Sequence, residues 1–204
     1  MTRSKRLFDV SISVLLGLIL WPVLLVLIGT LLILEGRPVF YFSKRMRSPT
    51  QEFVLIKFRT MRVGASDGGV TGGNKTAAIS GLHLFLRRCR ADELPQLWNV
   101  LRGDISLVGP RPPLRIYVKA FPDIYGQVLQ SRPGITGLAS LRFHAYEERL
   151  LATCITATEV DTVYRRRCIE RKARLDLIYQ ANRTLCYDLM LLGETTMKPF
   201  KRGH

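Results

Sequence analysis

The chain has 204 residues, room for one domain or two small ones. Its 31 Lys and Arg against 16 Asp and Glu give a formal net charge of +15, yet 47% of residues are hydrophobic and the mean hydropathy is +0.10. That pairing excludes a disordered basic tail, and the scattered 16 Gly and 10 Pro exclude collagen-like and low-complexity classes.

The first element is apolar. Residues 10–34 (VSISVLLGLILWPVLLVLIGTLLIL) carry no charge, and as a helix they measure roughly 37 Å, longer than a bilayer core of about 30 Å. The run is too long for the apolar core of a cleaved signal, and no A-x-A-like site follows it. Pro22 stands in its middle, where it removes a helix hydrogen bond and predicts a kink. Both flanks are basic: Arg3, Lys5 and Arg6 before, Arg37, Lys44, Arg45 and Arg47 after. A simple span would export one basic flank. The expectation is therefore a re-entrant helix over 1–36 that breaks at Pro22 and returns, the alternative being a signal anchor with Pro22 as a kink. Arg3, Arg6, Arg37, Arg45 and Arg47 are assigned to the membrane surface.

Residues 37–204 read as one domain on the cytoplasmic face of that membrane. Val39–Phe42 and Phe53–Phe58 are strand-like, joined through Ser48-Pro49. Residues 64–76 are glycine-rich and read as a mobile loop; no phosphate-loop motif is present. Ile79, Leu82, Phe85, Leu86 and Cys89 recur at helical spacing, and a further helix is expected from about Asp92 with Pro95 in its first turn. Two proline-rich corners follow, at 109–113 and 132–137. The segment between them, 114–130, mixes apolar and aromatic residues and is expected at the membrane interface. Helical material runs from about Tyr146 to Leu192. The four cysteines and three histidines form no metal-binding or disulfide pattern. The fold class expected is α+β, a mainly helical membrane-associated domain with a small β element.

The densest chemical signal is RRCRADELPQLWNVLRGDISLVGPRPP, residues 87–113. Asp92 and Glu93 are consecutive carboxylates directly after three arginines. At a helix start both would be ionised, and such a pair can hold Mg²⁺ together with substrate phosphates or attack phosphorus. The plainer reading is a helix cap and a solvated first-turn acid. Context favours chemistry. Arg111 lies between prolines that stiffen its setting for bidentate phosphate binding, Lys57 and Arg59 alternate on a strand, and Arg132 opens the second proline corner.

The segment DELPQLWNVLRGDISLVGPRPP, with KFRTM before it and RPGITGLA after it, resembles the bacterial sugar transferases known as monotopic phosphoglycosyl transferases. KRLFDVSISVLLGLILWPVLLVLI is similar to their re-entrant helix and LDLIYQANRTLCYDLMLL to their C-terminal region, so the likeness spans about Lys5 to Thr195. The length matches the small form of that family. The resemblance implies transfer of a sugar-1-phosphate from a UDP-sugar to polyprenyl phosphate, expected to be undecaprenyl phosphate. UMP would leave, in a ping-pong cycle that uses Mg²⁺ at Asp92 and opens the assembly of a glycoconjugate such as an exopolysaccharide. It implies Asp92 as the nucleophile, Glu93 as its assistant, and Arg87, Arg111, Lys57, Arg59 and Arg132 as phosphate-binding. It also implies a monotopic protein on the cytoplasmic face of the bacterial inner membrane, in contact with membrane lipids. Trp21-Pro22 stands where the family has Ser-Pro, Ser43-Lys44-Arg45-Met46-Arg47 retains only the arginine of Q-x-R-x-G, Ala91 replaces Leu, and Ser140 replaces Gln. None of these removes a proposed catalytic group.

A second class, a membrane-tethered nucleic-acid-binding protein, is suggested by Arg165, Arg166, Arg167, Arg171, Lys172 and Arg174, opposed locally by Glu170. No RNA- or DNA-recognition motif accompanies them, so no nucleic-acid partner is expected. A homo-oligomer stays open.

Overall fold

The computed structural model describes residues 2–61 and 80–201. The loop expected over 64–76, Ile79 of the expected helix, and the last three residues of the basic tail lie outside them. The described chain is mostly helical, with two small two-stranded sheets.

Helix α1 (Arg3–Leu34) starts at Thr2, whose side chain accepts the Lys5 amide, and continues through Pro22 without an intervening loop. It is long and apolar enough to cross a bilayer. Its two ends nevertheless pack on one body. Near the start, Ile12 and Leu16 join the main core of Phe53, Leu55, Val100, Ile105, Leu107, Tyr179 and Leu191. Near the end, Leu24, Leu27, Ile28 and Leu31 pack with Val39, Phe58 and Leu86. Between these contacts Leu18, Ile19 and Trp21 are exposed.

Polar side chains fix the N-terminal end. Arg6 donates to the carbonyls of Val100 and Leu101 at 2.5 and 2.7 Å. Fully buried Asp9 accepts from Ser106 Oγ at 2.7 Å and from the Leu107 amide at 3.4 Å. Lys5 reaches Asp188, which also accepts the Tyr179 hydroxyl. Arg6 is thus held in place by carbonyl groups at the end of α3. A half-buried guanidinium needs acceptors, and the last carbonyls of a helix supply them.

Strands β1 (Phe40–Met46) and β2 (Glu52–Phe58) form an antiparallel hairpin with Phe40 opposite Phe58 and Met46 opposite Glu52. The other edge of β2 is satisfied by a side chain: Asn99 Oδ1 accepts the Ile56 amide and Nδ2 donates to the Val54 carbonyl. Helix α2 (Gly81–Arg88) buries His83 and Leu86 and leaves Phe85 exposed, so its inward face is turned by one position from the expected stripe. The next helix, α3 (Gln96–Arg102), begins later than expected. Pro95 has no amide, so the chain ahead of it closes three-residue bonds (Glu93 to Arg90, Leu94 to Ala91) as a single 3₁₀ turn at Ala91–Glu93. Asp92 is therefore not the cap of an α-helix.

The two proline corners meet. Strand β3 (Ser106–Val108) runs parallel to β4 (Gly134–Thr136), with Ser106 opposite Gly134. A Cβ on Gly134 would collide with the backbone of Gly109 and of Val108, and one on Gly137 with the Gly109 carbonyl. Glycine is required there because main chain lies directly on main chain. Helices α4 (Arg115–Ala120) and α5 (Pro122–Val128) bury Tyr117, Val118, Tyr125 and Val128 in a second core. The segment expected at the membrane interface thus turns one face inward against α9 and leaves the other, with Ile116, exposed. Helices α6 (Leu138–Arg142), α7 (His144–Ala152) and α8 (Ala157–Val163) lead through a π turn at Tyr164–Cys168 into α9 (Ile169–Asn182), then α10 (Leu185–Lys201).

The basic run at 165–174 is partly neutralised from within. Arg165 pairs with Asp161 at 2.6 Å and lies over Tyr117, Lys172 pairs with Glu147 at 3.0 Å, and Arg171 covers the ring of Tyr146. Beside Glu170 stand Asp161, one turn before Arg165, and Glu147, which the fold brings from α7.

Candidate active site

The site is built where β2, the 3₁₀ turn and the first proline corner converge. α2 ends when Arg90 adopts φ 58°, the left-handed region, and its amide bonds to the Arg87 carbonyl. That conformation costs a non-glycine residue roughly 1 kcal/mol. It reverses the chain so that Asp92 and Glu93 follow at once.

Glu93 is buried and held on several sides. Its Oε1 accepts Lys57 Nζ at 2.9 Å and Arg111 Nη2 at 3.0 Å, while Arg90 stands 3.7 Å from Oε2. Burial alone would raise its pKa, but the charges of Arg111, Lys57 and Arg90 outweigh it and hold the carboxyl well below the usual range. Lys57 is pushed down by desolvation, partly countered by Glu93. Arg111 is pushed up, first by Glu93. This triad fixes the positions of two cations.

Asp92, the adjacent residue, is half-buried and has no hydrogen bond or ion pair among the described residues. Its pKa is raised, first by desolvation and then by Glu93, against the lowering effects of Lys57, Arg111 and Arg87. The result is an unpartnered carboxylate of raised basicity inside a field of cations. Arg87 is oriented by its Nε bond to Thr60 Oγ1 at 2.9 Å.

Of the residues expected to act together, Lys57, Arg87, Asp92, Glu93 and Arg111 meet here. Arg59 and Arg132 are placed elsewhere. Arg59 is buried and donates to the carbonyls of Glu35, Gly36 and Arg37, closing the C-terminal end of α1. Lys57 and Arg59 alternate in sequence, but β2 ends at Phe58, so the two side chains part. Arg132 lies beside Gly103, at the far end of α3.

Two residues of the site carry little sequence signal. Arg90 stands among several arginines, and its left-handed backbone is invisible in one dimension. Arg45 bonds to Ser43 Oγ and reaches the Pro112 carbonyl at 3.5 Å, under the P-R-P corner; burial and then Arg111 lower its pKa to about 10. Asn99 did leave a trace, as a polar residue inside an apolar helix.

A metal ion has partial provision. Among the described residues no group of three or more His, Cys, Asp or Glu is placed to hold one. Glu93 Oε2, however, is buried without a hydrogen bond, and Asp92 is unpartnered. Two such oxygens suit a hard cation that takes one or two carboxylates and completes its shell with phosphates and water.

Comparison with known proteins agrees with this chemistry. A family model described as bacterial sugar transferase matches residues 1–202. The chain is 34% identical over 170 residues to the UDP-glucose:undecaprenyl-phosphate glucose-1-phosphate transferase of Xanthomonas campestris pv. campestris, covering 80% of this chain and 35% of that protein. It is 30% identical over 200 residues to the Klebsiella pneumoniae protein of the same name, covering 96% and 40%. The exopolysaccharide production protein ExoY of Sinorhizobium fredii is 33% identical over 151 residues, covering 66% and 67%. The chain thus spans about a third of the Xanthomonas relative's length and two fifths of the Klebsiella one.

Proposed function

The chain belongs to the bacterial sugar transferase family, and from that premise we propose that it moves a sugar-1-phosphate from a UDP-sugar to a polyprenyl phosphate. An Asp92 carboxylate oxygen attacks the β-phosphorus of the donor. The bond from that phosphorus to the bridging oxygen breaks, and UMP leaves with the electron pair. A phosphate oxygen of the polyprenyl phosphate then attacks the same phosphorus, and the Asp92 carboxylate is released. No proton is gained or lost over the cycle beyond the ionisation of the phosphates.

The observation that carries this reading is the contrast within the acid pair. Glu93 is committed to Lys57 and Arg111, whereas Asp92 is partly exposed and free of a partner among the described residues. Only the second is available as a nucleophile. Arg111, Lys57 and Arg87 are positioned around Asp92 to stabilise charge on the transferring phosphoryl group, where catalysis is mainly positioning and electrostatics. Mg²⁺ would be held by Asp92 and Glu93 Oε2 with the donor diphosphate, and would supply further charge neutralisation.

A membrane setting follows the same logic. α1 is apolar and its exposed middle carries Leu18, Ile19 and Trp21, while both ends pack on one charged body. A re-entrant insertion from the cytoplasmic face of the inner membrane keeps both ends on one side, and a lipid acceptor would arrive at that face.

The test is UMP release by purified protein with Mg²⁺ across a panel of UDP-sugars, UDP-glucose first because relatives are named for it. Multiple turnover should require polyprenyl phosphate. Without acceptor, intact mass should gain one sugar-phosphate, mapped to Asp92. Asp92→Asn should reduce turnover by at least about 10³-fold with an unchanged circular dichroism spectrum. Full activity in that variant would refute the nucleophile.

A further inference from the structure

At the far end of α3 a second group of cations converges on Gly103. Gly103, in the left-handed region at φ 83°, ends α3, and a Cβ placed on it would stand 3.4 Å from Arg6 Nη2 and 3.5 Å from Arg132 Nη1. Two guanidinium groups thus approach one backbone point that carries no side chain. Arg47 is close enough that, after desolvation, its charge is the next cause lowering the pKa of Arg132, with Arg6 following.

The nearby acids are already engaged. Asp9 accepts from Ser106 Oγ and the Leu107 amide. Asp104 accepts from Asn99 Nδ2 and lies 3.7 Å from Arg102. Among the described residues neither Arg47 nor Arg132 has a carboxylate within ion-pair distance, and Arg6 is bonded to carbonyl groups. Asp9 and Asp104 act on Arg132 only from beyond ion-pair distance. Like charges held together with no acid in direct contact favour an anion between them, and a fork of guanidinium groups matches a phosphate.

Position indicates which phosphate. The site lies at the first turns of α1, where the exposed apolar stripe Leu7, Val14 and Leu18 begins. A phosphate at that level has acyl chains beside it. It is also remote from Asp92, because α3 alone is about 10 Å long. We infer that Arg6 and Arg132 beside Gly103, with the charge of Arg47 near Arg132, form a binding site for the headgroup phosphate of an anionic membrane phospholipid, separate from the Asp92 site. The inference rests on the membrane reading of α1.

The experiment is native mass spectrometry of the full chain in mild detergent, doped with phosphatidylglycerol or phosphatidylcholine. Wild-type protein should retain one phosphatidylglycerol at least tenfold more often than phosphatidylcholine. Arg47→Gln/Arg132→Gln should lose that preference about tenfold, with α1 insertion unchanged by flotation on neutral liposomes. Arg132→Lys keeps the charge without the fork and should lose about threefold, which also covers poor folding of the double variant. Equal retention in wild type and variants would overturn the site. Retention abolished by millimolar inorganic phosphate alone would assign it to a free anion and overturn the lipid. UMP release in the same samples reports the transferase reading independently, and failure to float would refute membrane insertion while leaving phosphate retention to be scored.

Discussion

The two ends of α3 hold arginines in opposite ways. At the N-terminal end, Lys57 and Arg111 are fixed by a buried carboxylate, Glu93, and the net effect is a rigid site with one free acid beside it. At the C-terminal end, Arg6 is held by main-chain carbonyls, and Arg132 meets Arg6 at Gly103 and feels the charge of Arg47, with no acid in ion-pair contact with Arg132 among the described residues. The first arrangement suits the proposed chemistry on phosphates that come and go. The second leaves a standing deficit of negative charge, which suits a ligand that stays.

The strongest way to break this comparison is to separate the corners that carry Arg111 and Arg132. Gly134→Ala forces a Cβ into the Gly109 backbone, and the melting temperature should fall by roughly 10 °C or more with both ends lost together. Glu93→Gln acts on one end alone. It leaves the largely buried Lys57, and the more exposed Arg111, without their counter-charge, so the melting temperature should fall by roughly 4–8 °C, with turnover lost as well. The depressed pKa of Glu93 adds a pH signature: its stabilisation is present above the unfolded value near 4.5 and is lost as pH falls toward the folded one. The destabilisation caused by Glu93→Gln should therefore shrink in acid.

A smaller effect is expected in the pH profile of kcat/KM. In the proposed mechanism the ionised form of Asp92 attacks, and its pKa is raised above 3.8, so activity should fall on the acid side at a pH above that of an ordinary aspartate. Lys57 is lowered from 10.5, so its charge, and activity with it, should be lost earlier on the alkaline side. An acid limb at or below 3.8 would count against Asp92. The smallest effect belongs to the other end. Arg132→Gln relieves repulsion from Arg47 and Arg6 and should change the melting temperature by at most about 2 °C in lipid-free detergent. A loss as large as that of Glu93→Gln would show that the two ends are held alike.

Much of this was legible in one dimension. The uncharged run at 10–34 gives α1, the β-branched and aromatic stretches give β1 and β2, and Asp92-Glu93 among arginines marks the site. Arg59 and Arg132 were legible as basic residues in suggestive contexts but not by destination. Strand alternation lapses where β2 ends, and a guanidinium goes to whichever carbonyls the fold leaves unsatisfied. The 114–130 segment shows a related limit: composition tells that a surface is apolar, not which of its side chains, such as Tyr117 and Val118, the protein itself covers.

The sequence by itself determined which residues are candidates for chemistry and where the apolar length lies, because ionisation, periodicity and proline restrictions are local properties. The tertiary structure decided which cations have an acid. That depends on long-range pairs such as Lys57 with Glu93 and Arg6 with the end of α3, and on glycines at 109, 134 and 137 that let two backbones touch. Charge neutralisation acts over a few ångströms in space, and no spacing along the chain reports it.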